Sequence, residues 1–306
     1  MSNAKFVEGF SSNLANRWVS TLFTPAFVFW LGGGLAGLQQ IGWKRIAQFF
    51  STLPEPLPIG LGVLALLVVS ASGFMAQQFE FPVLRLLEGY WPRWCRPLSK
   101  RLVKQQKRKW KEIDKQWQDF NRKGLKSLTP EERQDYIQAD LQLSSFPDTE
   151  RLLPTRLGNI LRSAEDRCTA KYGLDVIICW PRLWLLLPDA VKTELSASRA
   201  ALDLTVRMWL WGLLFALWSP VFWVWWPLLL GLVVIWLAYQ WMLQAAQMYG
   251  DLLESAFDLY RFQLYETLHW PKPTTPTEER TLGKDLTDYL WHGSRQNFPK
   301  FIYGKE

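Results

Sequence analysis

The chain has 306 residues, and its 35 lysines and arginines outnumber its 28 aspartates and glutamates, for a formal charge of +7. That length suits one large domain or two small ones. Its apolar and charged residues are clustered, and it carries 19 tryptophans, a pattern that argues against a uniform soluble globule and for a polytopic membrane protein with a water-facing part.

The first residues, "MSNAKF", do not read as a signal peptide, because the apolar run begins too late and no small-residue cleavage site follows it. A helix rising about 1.5 Å per residue needs about 20 apolar residues to cross the ~30 Å hydrocarbon layer. Leu22 to Ile41 meets that need, flanked by Arg17 and Trp18 before it and by Trp43, Lys44 and Arg45 after it. Within it "GGGLAG" supplies a GxxxG pair, Gly33 and Gly37, that suits close helix packing. Leu57 to Ala76 is a second span. The short linker between the two contains Pro54 and Pro56, and Pro58 follows, which predicts an antiparallel hairpin.

After this hairpin the segment from Lys100 to Lys126 is strongly basic. Trp110, Ile113, Trp117 and Phe120 recur at helical spacing and predict one apolar stripe. A stripe packed on neighbouring helices, with a solvated charged back, is the simpler expectation. The functional alternative is adhesion to anionic lipid or to a partner, carried by Arg101, Lys104, Lys107, Arg108 and Lys111. A basic surface also suits nucleic acid, but no recognised binding fold accompanies it, so nucleic acid is not an expected partner.

Thr129, Pro130, Glu131 and Glu132 announce the start of another helix by cap, first-turn proline and helix dipole. A third begins after Thr155 and stops at Gly173, with Leu157, Ile160, Leu161, Ala164 and Cys168 on one face. Arg162 and Asp166 are spaced to pair across one turn of its other side. The apolar stretch "GLDVIICWPRLWLLLPDA" that follows is too short to span, and Pro181 and Pro188 are expected to prevent one continuous helix. An interfacial or re-entrant segment and a buried turn both fit it. Trp180, Arg182 and Trp184 suit the headgroup level, and Arg182 is a candidate to meet headgroups or an acidic partner. Asp189 is the expected cap of a helix that runs into the third span.

The second apolar block, Met208 to Tyr239, is too long for one ordinary span and short for two. Pro220 and Pro227 bracket an aromatic patch, "VFWVWW", suited to a membrane interface. The expectation is a second hairpin, Leu202–Trp218 and Pro227–Ala246, with Asp203 near its start and Arg207 reaching for headgroups. Lysine and arginine are dense between Arg85 and Arg199 and the hairpin tips are short. The positive-inside rule therefore puts this middle segment and both termini in the cytosol, with Lys44 and Arg45 as a minor contrary sign.

The last span continues into a long C-terminal extension. There Asp251, Glu254 and Asp258 share a helical face, followed by Arg261. Ion pairing with arginines of the insert, such as Arg162 or Arg182, is the base expectation for this stripe. A cation path or divalent site is the alternative. A proline-rich linker from Pro271 and a short terminal helix complete the chain.

The expected fold class is thus an all-α integral membrane protein with four transmembrane helices in two hairpins, a helical cytosolic domain between them and a long helical extension. The expected divisions are 1–80, 81–201, 202–248 and 249–306. No phosphate-binding loop, dinucleotide fingerprint or nucleophile elbow occurs in the sequence. The odd set Cys95, Cys168 and Cys179 lacks metal-site spacing and reads as free thiols, and His269 and His292 have no nearby cysteine. No cofactor, metal or catalytic set is expected.

Two resemblances add to these readings. Leu153 to Leu204, together with "AFDLYR" from Ala256 to Arg261, resembles a family of bacterial multi-pass membrane proteins of uncharacterised activity. The likeness covers roughly half the chain and implies a bacterial inner or internal membrane, but no activity. The order of hairpin, helical insert, hairpin and long helix is similar to that of bestrophin-type anion channels, which assemble as pentamers around a pore. The acidic cluster of that family has no recognisable counterpart here. A membrane-embedded interaction or scaffold protein is the first functional expectation, with anionic lipid headgroups and further copies or another membrane protein as partners. The second is a homo-oligomeric channel or membrane-permeabilising effector lined from Ser20, Thr21, Thr24, Ser70 and Ser72. The third is a lipid-acting enzyme, which requires Asp251, Glu254 and Asp258 to hold a metal.

Overall fold

A computed structural model describes residues 25–54, 57–293 and 299–302. Among them the chain is all-helical, with no strand. In chain order the helices are α1 (Pro25–Ile41), α2 (Trp43–Ser51), α3 (Leu57–Gln78), α4 (Glu80–Glu88), α5 (Arg96–Lys123), α6 (Pro130–Ser144), α7 (Arg156–Tyr172), α8 (Val176–Leu186), α9 (Asp189–Ala216), α10 (Trp218–Phe222), α11 (Trp226–Thr267) and α12 (Pro276–His292). A single 3₁₀ turn, Arg93–Cys95, leads into α5.

Three helical stretches are long and apolar enough to cross a membrane: Leu57–Gln78, Asp189–Phe222 and Trp226–Thr267. Only 11% of the apolar window of the first is buried inside the protein. Ile59, Leu64, Leu67 and Phe74 on α3, and Leu229, Val233 and Trp236 on α11, are all exposed. An exposed apolar surface of this extent is the mark of a membrane protein. The expected first span begins at Leu22, so its first turn, with Ser20, Thr21 and Thr24 of the supposed lining, lies outside the described residues.

The chain divides into two compact units, Met1–Leu84 with Asp203–Trp241, and Arg85–Leu202 with Met242–Glu306. In the first, α1 packs on α3 and α10. Ala26, Val69, Ala76 and Trp211 form a small core. The glycines of α1 make room for aromatic rings: a Cβ on Gly33 would stand 2.5 Å from Trp218, and one on Gly37 would touch Phe222. Those two rings stack on one another with centroids 5.3 Å apart. Ser72 donates to the Val69 carbonyl of its own helix and accepts from the Trp30 indole at 3.1 Å. The chain turns out of α10 through Trp223, which has φ 52° and is 90% exposed, in the middle of the aromatic patch.

The second unit joins the insert to the C-terminal extension in one core. Cys168, Leu174, Cys179, Leu183, Leu195, Phe257, Leu264, Tyr265 and Leu286 meet there, from α7, α8, α9, α11 and α12. Local signals fix the helices that deliver them. Thr129 and Glu132 close a reciprocal capping box at α6. Thr155 caps α7 by accepting from the Gly158 amide, and Gly173, at φ 72°, ends it in the left-handed conformation.

The stretch from Val176 to Leu186 corrects the sequence expectation: it is one helix, continuous through Pro181. The missing amide of Pro181 leaves the Ile177 carbonyl without its helical donor, but Ile177 and Pro181 are both exposed, where that loss is cheapest. Asp175 caps the start by accepting from the Ile177 and Ile178 amides, and Pro188 follows the end. The inner face, Val176, Cys179, Leu183 and then Leu187, fills the core. The outer face leaves Ile177 at 65% and Leu185 at 76% exposure. The next helix includes Asp189 as its first residue rather than starting after it.

One tight crossing in this unit is between α7 and α12. A Cβ on Gly283 would stand 2.0 Å from the Tyr172 carbonyl oxygen, a backbone atom that cannot swing aside. Gly283→Ala is therefore expected to destabilise the chain by about 1–3 kcal/mol. Gly34→Ala, where no atom lies within 4 Å of the added methyl, should leave stability unchanged or slightly raised. Thermal unfolding in detergent, followed by tryptophan fluorescence, distinguishes the two, and equal melting temperatures would rule out the crossing as a constraint.

Candidate functional site

Helical periodicity places Asp251, Glu254 and Asp258 on one face of α11, and α7 lays cations against them. Arg167 Nε meets Glu254 at 2.6 Å, its Nη2 meets Asp251 at 3.1 Å, and its Nη1 donates to the Ser144 carbonyl at 2.8 Å. One turn on, Lys171 bridges Glu254 and Asp258. The Tyr172 hydroxyl donates to Asp258 at 2.5 Å, and burial, together with that bond, raises its own pKa. Arg261 pairs with Glu279 at 2.6 Å and lies over the Tyr172 ring, 4.1 Å from its centroid.

The acidic stripe therefore meets Arg167 and Lys171 rather than Arg162 or Arg182. Arg162 faces away from it, donating to the Tyr90 hydroxyl at 3.0 Å and to the Arg151 carbonyl at 3.2 Å. Nor do Arg162 and Asp166 pair: Asp166 takes Arg151 and the Asp148 amide instead. The loop before α7 brings those donors closer than the neighbouring turn does. Arg182 is exposed and, among the described residues, reaches only the Ile178 carbonyl of its own helix, at 2.5 Å. Asp203 belongs to the other unit, where its charge acts on Glu80 beside the Glu80–Arg207 ion pair of 2.8 Å. Arg167 and Lys171 reach all three carboxylates of the stripe, and no cluster of three or more metal-ligating side chains occurs among the described residues.

The amphipathic helix α5 packs on α6. Trp117 stacks on Tyr136 with centroids 6.2 Å apart, and its indole donates to Asp140 at 3.0 Å. The stripe residues Trp110, Ile113, Trp117 and Phe120 are all half-buried. Arg101, Lys104, Lys107, Arg108 and Lys111 are exposed on the remaining surface.

Sequence reasoning missed a cavity of about 200 Å³ in the second unit, lined among others by Glu88, Glu165, Trp180, Arg199 and Tyr249. Burial raises the pKa of both carboxyls, opposed by Arg85 at Glu88 and by Arg162 at Glu165. Arg199 lies over the Tyr249 ring, 5.7 Å from its centroid. Helical spacing in the sequence groups Glu165 with Arg162 and Asp166, away from the apolar face of α7, so nothing there marked it as lining a cavity. Cys168 and Cys179 are buried, which pushes their thiols up to about 12 and about 11, so neither is a nucleophile at neutral pH.

No protein-family model, curated protein or solved structure matches the chain.

Two outcomes test this geometry. Arg167→Ala leaves Asp251 without its cation and Glu254 with Lys171 alone, and frees the Ser144 carbonyl, and should cost about 1.5–3 kcal/mol, whereas Arg182→Ala should cost under ~0.5 kcal/mol, as an exposed residue with one local contact does. Urea or thermal titrations of both variants decide it, and equal losses would refute the assignment. A carboxyl raised in the fold stabilises fully below its ordinary value, and the contribution is lost as pH rises through the raised one. Glu165→Gln should therefore raise the melting temperature at pH 8 and flatten its decline between pH 5 and pH 8. An unchanged pH profile would count against the buried carboxyl.

Proposed function

We propose that the chain is a four-span protein of a bacterial inner or internal membrane, with two hairpins, both termini and the middle segment on the cytosolic side. The dense lysine and arginine between Arg85 and Arg199, the short hairpin tips and the exposed apolar surfaces of α3 and α11 support this arrangement. Its role in this reading is that of a membrane-embedded interaction protein whose cytosolic unit engages anionic lipid headgroups.

One observation carries the reading. The apolar stripe of α5 is already used against α6, so the helix needs no further partner for its apolar side. Arg101, Lys104, Lys107, Arg108 and Lys111 nevertheless form no ion pair among the described residues. Cations that do not stabilise the fold are available to a surface, and each basic residue near an anionic membrane is worth about 1 kcal/mol.

The test uses the full chain in phosphatidylcholine nanodiscs, mixed with vesicles containing phosphatidylglycerol. Binding should weaken with salt and fall at least tenfold when the five residues are changed to glutamine. Binding that survives those changes, or that is equal for vesicles of phosphatidylcholine alone, would refute the reading.

A further inference from the structure

A second basic feature lies away from α5. A cleft of about 580 Å³ opens between α7, α12 and the loop before α7, lined among others by Phe146, Asp148, Arg151, Arg167, Arg280 and Lys284. Its four cations stand in two different conditions. Arg151 is held by Asp166, and Arg167 by Asp251 and Glu254. Arg280 and Lys284 are exposed, and their side chains take no hydrogen bond or ion pair among the described residues. They stand one turn apart on α12, where like charges repel.

No acid forms an ion pair with either of them among the described residues. Asp166 is taken by Arg151 and by the Asp148 amide, and Asp148 accepts from the Glu150 amide at 3.4 Å within its own turn. On α12 itself, Glu279 is held by Arg261 and Glu278 by Thr274. The Ser163 hydroxyl donates to the Ile160 carbonyl, and that of Thr169 lies 3.2 Å from the carbonyls of Glu165 and Leu174. The cleft therefore offers a ligand a guanidinium, an ammonium and the half-buried ring of Phe146, beside the exposed carboxylate of Asp148.

We infer that this cleft binds an organic phosphate. Arg280 offers paired N–H donors to phosphate oxygens, and Lys284 adds a point charge beside it. The volume is several times that of a phosphate ion and falls in the range of small-molecule sites. Phe146 lines the same cleft, which suits an aromatic or aliphatic group attached to the phosphate. Such a ligand relieves the repulsion between Arg280 and Lys284 and ties α12 to the α7 loop. The site is independent of α5 and of any role that helix has.

The experiment uses the full chain in phosphatidylcholine nanodiscs, titrated calorimetrically with inorganic pyrophosphate and with ADP. Saturable binding is expected, tighter for ADP. The double variant Arg280→Gln/Lys284→Gln should weaken both at least tenfold, while Lys104→Gln/Lys107→Gln should leave them unchanged. Phe146→Ala should remove the advantage of ADP alone. Short-chain phosphatidylglycerol serves as a competitor: displacement of ADP assigns the phosphate to a lipid headgroup, and failure to displace assigns it to a soluble molecule, and both agree with the cleft. Absence of saturable binding, or equal losses in the two double variants, would overturn it. Because Arg280 and Lys284 are exposed, an unchanged melting temperature in the first variant separates loss of binding from loss of fold.

Discussion

Arg167 uses each of its three nitrogens, on Glu254, on Asp251 and on the Ser144 carbonyl at the end of α6. The need for it arises in α11. That helix is 42 residues long, about 63 Å at ~1.5 Å per residue, roughly twice the hydrocarbon thickness. A helix of that length has to leave the apolar solvent, and its sequence changes accordingly: the first half is aliphatic and aromatic, and the second carries an acid at every turn or two. Acids of one sign on one face repel unless a second element brings cations to them. Arg167 and Lys171 do so from α7, and in the same contact they fix where α7, α11 and the end of α6 meet.

Once that contact is made, the apolar faces have little freedom. With α7 on α11, Cys168 faces Leu253 and Phe257, and α8 closes the space with Cys179 and Leu183. The continuity of α8 through Pro181 follows from this. Proline costs a helix one hydrogen bond, and the loss is tolerable where the orphaned carbonyl faces outward and the opposite face is fully packed. The sequence shows the proline but not the packing that outweighs it, and for that reason a break is the natural expectation there.

What the sequence made legible were features with local causes. Threonine caps at 129 and 155, the left-handed glycine at 173 and the apolar stripe of α5 are written in a few adjacent residues. The acidic stripe was legible as a stripe, because α11 alone fixes its spacing. Its partners were not, since Arg162, Arg167 and Arg182 are equally basic on paper. The choice among them depends on which turn of α7 faces α11, and on the loop at residues 145–155 that gives Asp166 to Arg151. Glu88 and Glu165 escaped notice for the same reason: they are remote in sequence and meet only in the folded cavity.

The charges of the second unit thus fall into two populations, and the distinction carries more weight than the net excess of basic residues. Arg167, Lys171 and Arg261 are taken up by Asp251, Glu254, Asp258 and Glu279 and by carbonyls, so their removal is expected to be felt in stability. Those on the back of α5, and the Arg280–Lys284 pair on α12, leave the fold's own acids untouched. A fold gains nothing from repelling cations held at the rim of a cleft, and less from five more along a helix whose apolar side is already covered. Basic residues in such positions make physical sense when the counter-charge comes from outside the chain. A flat bilayer surface can supply it to α5, which presents its cations along an exposed helix. On α12 the two cations, unpaired among the described residues, line a cleft of about 580 Å³ instead. The two features therefore call for counter-anions of different shape, one extended and one compact.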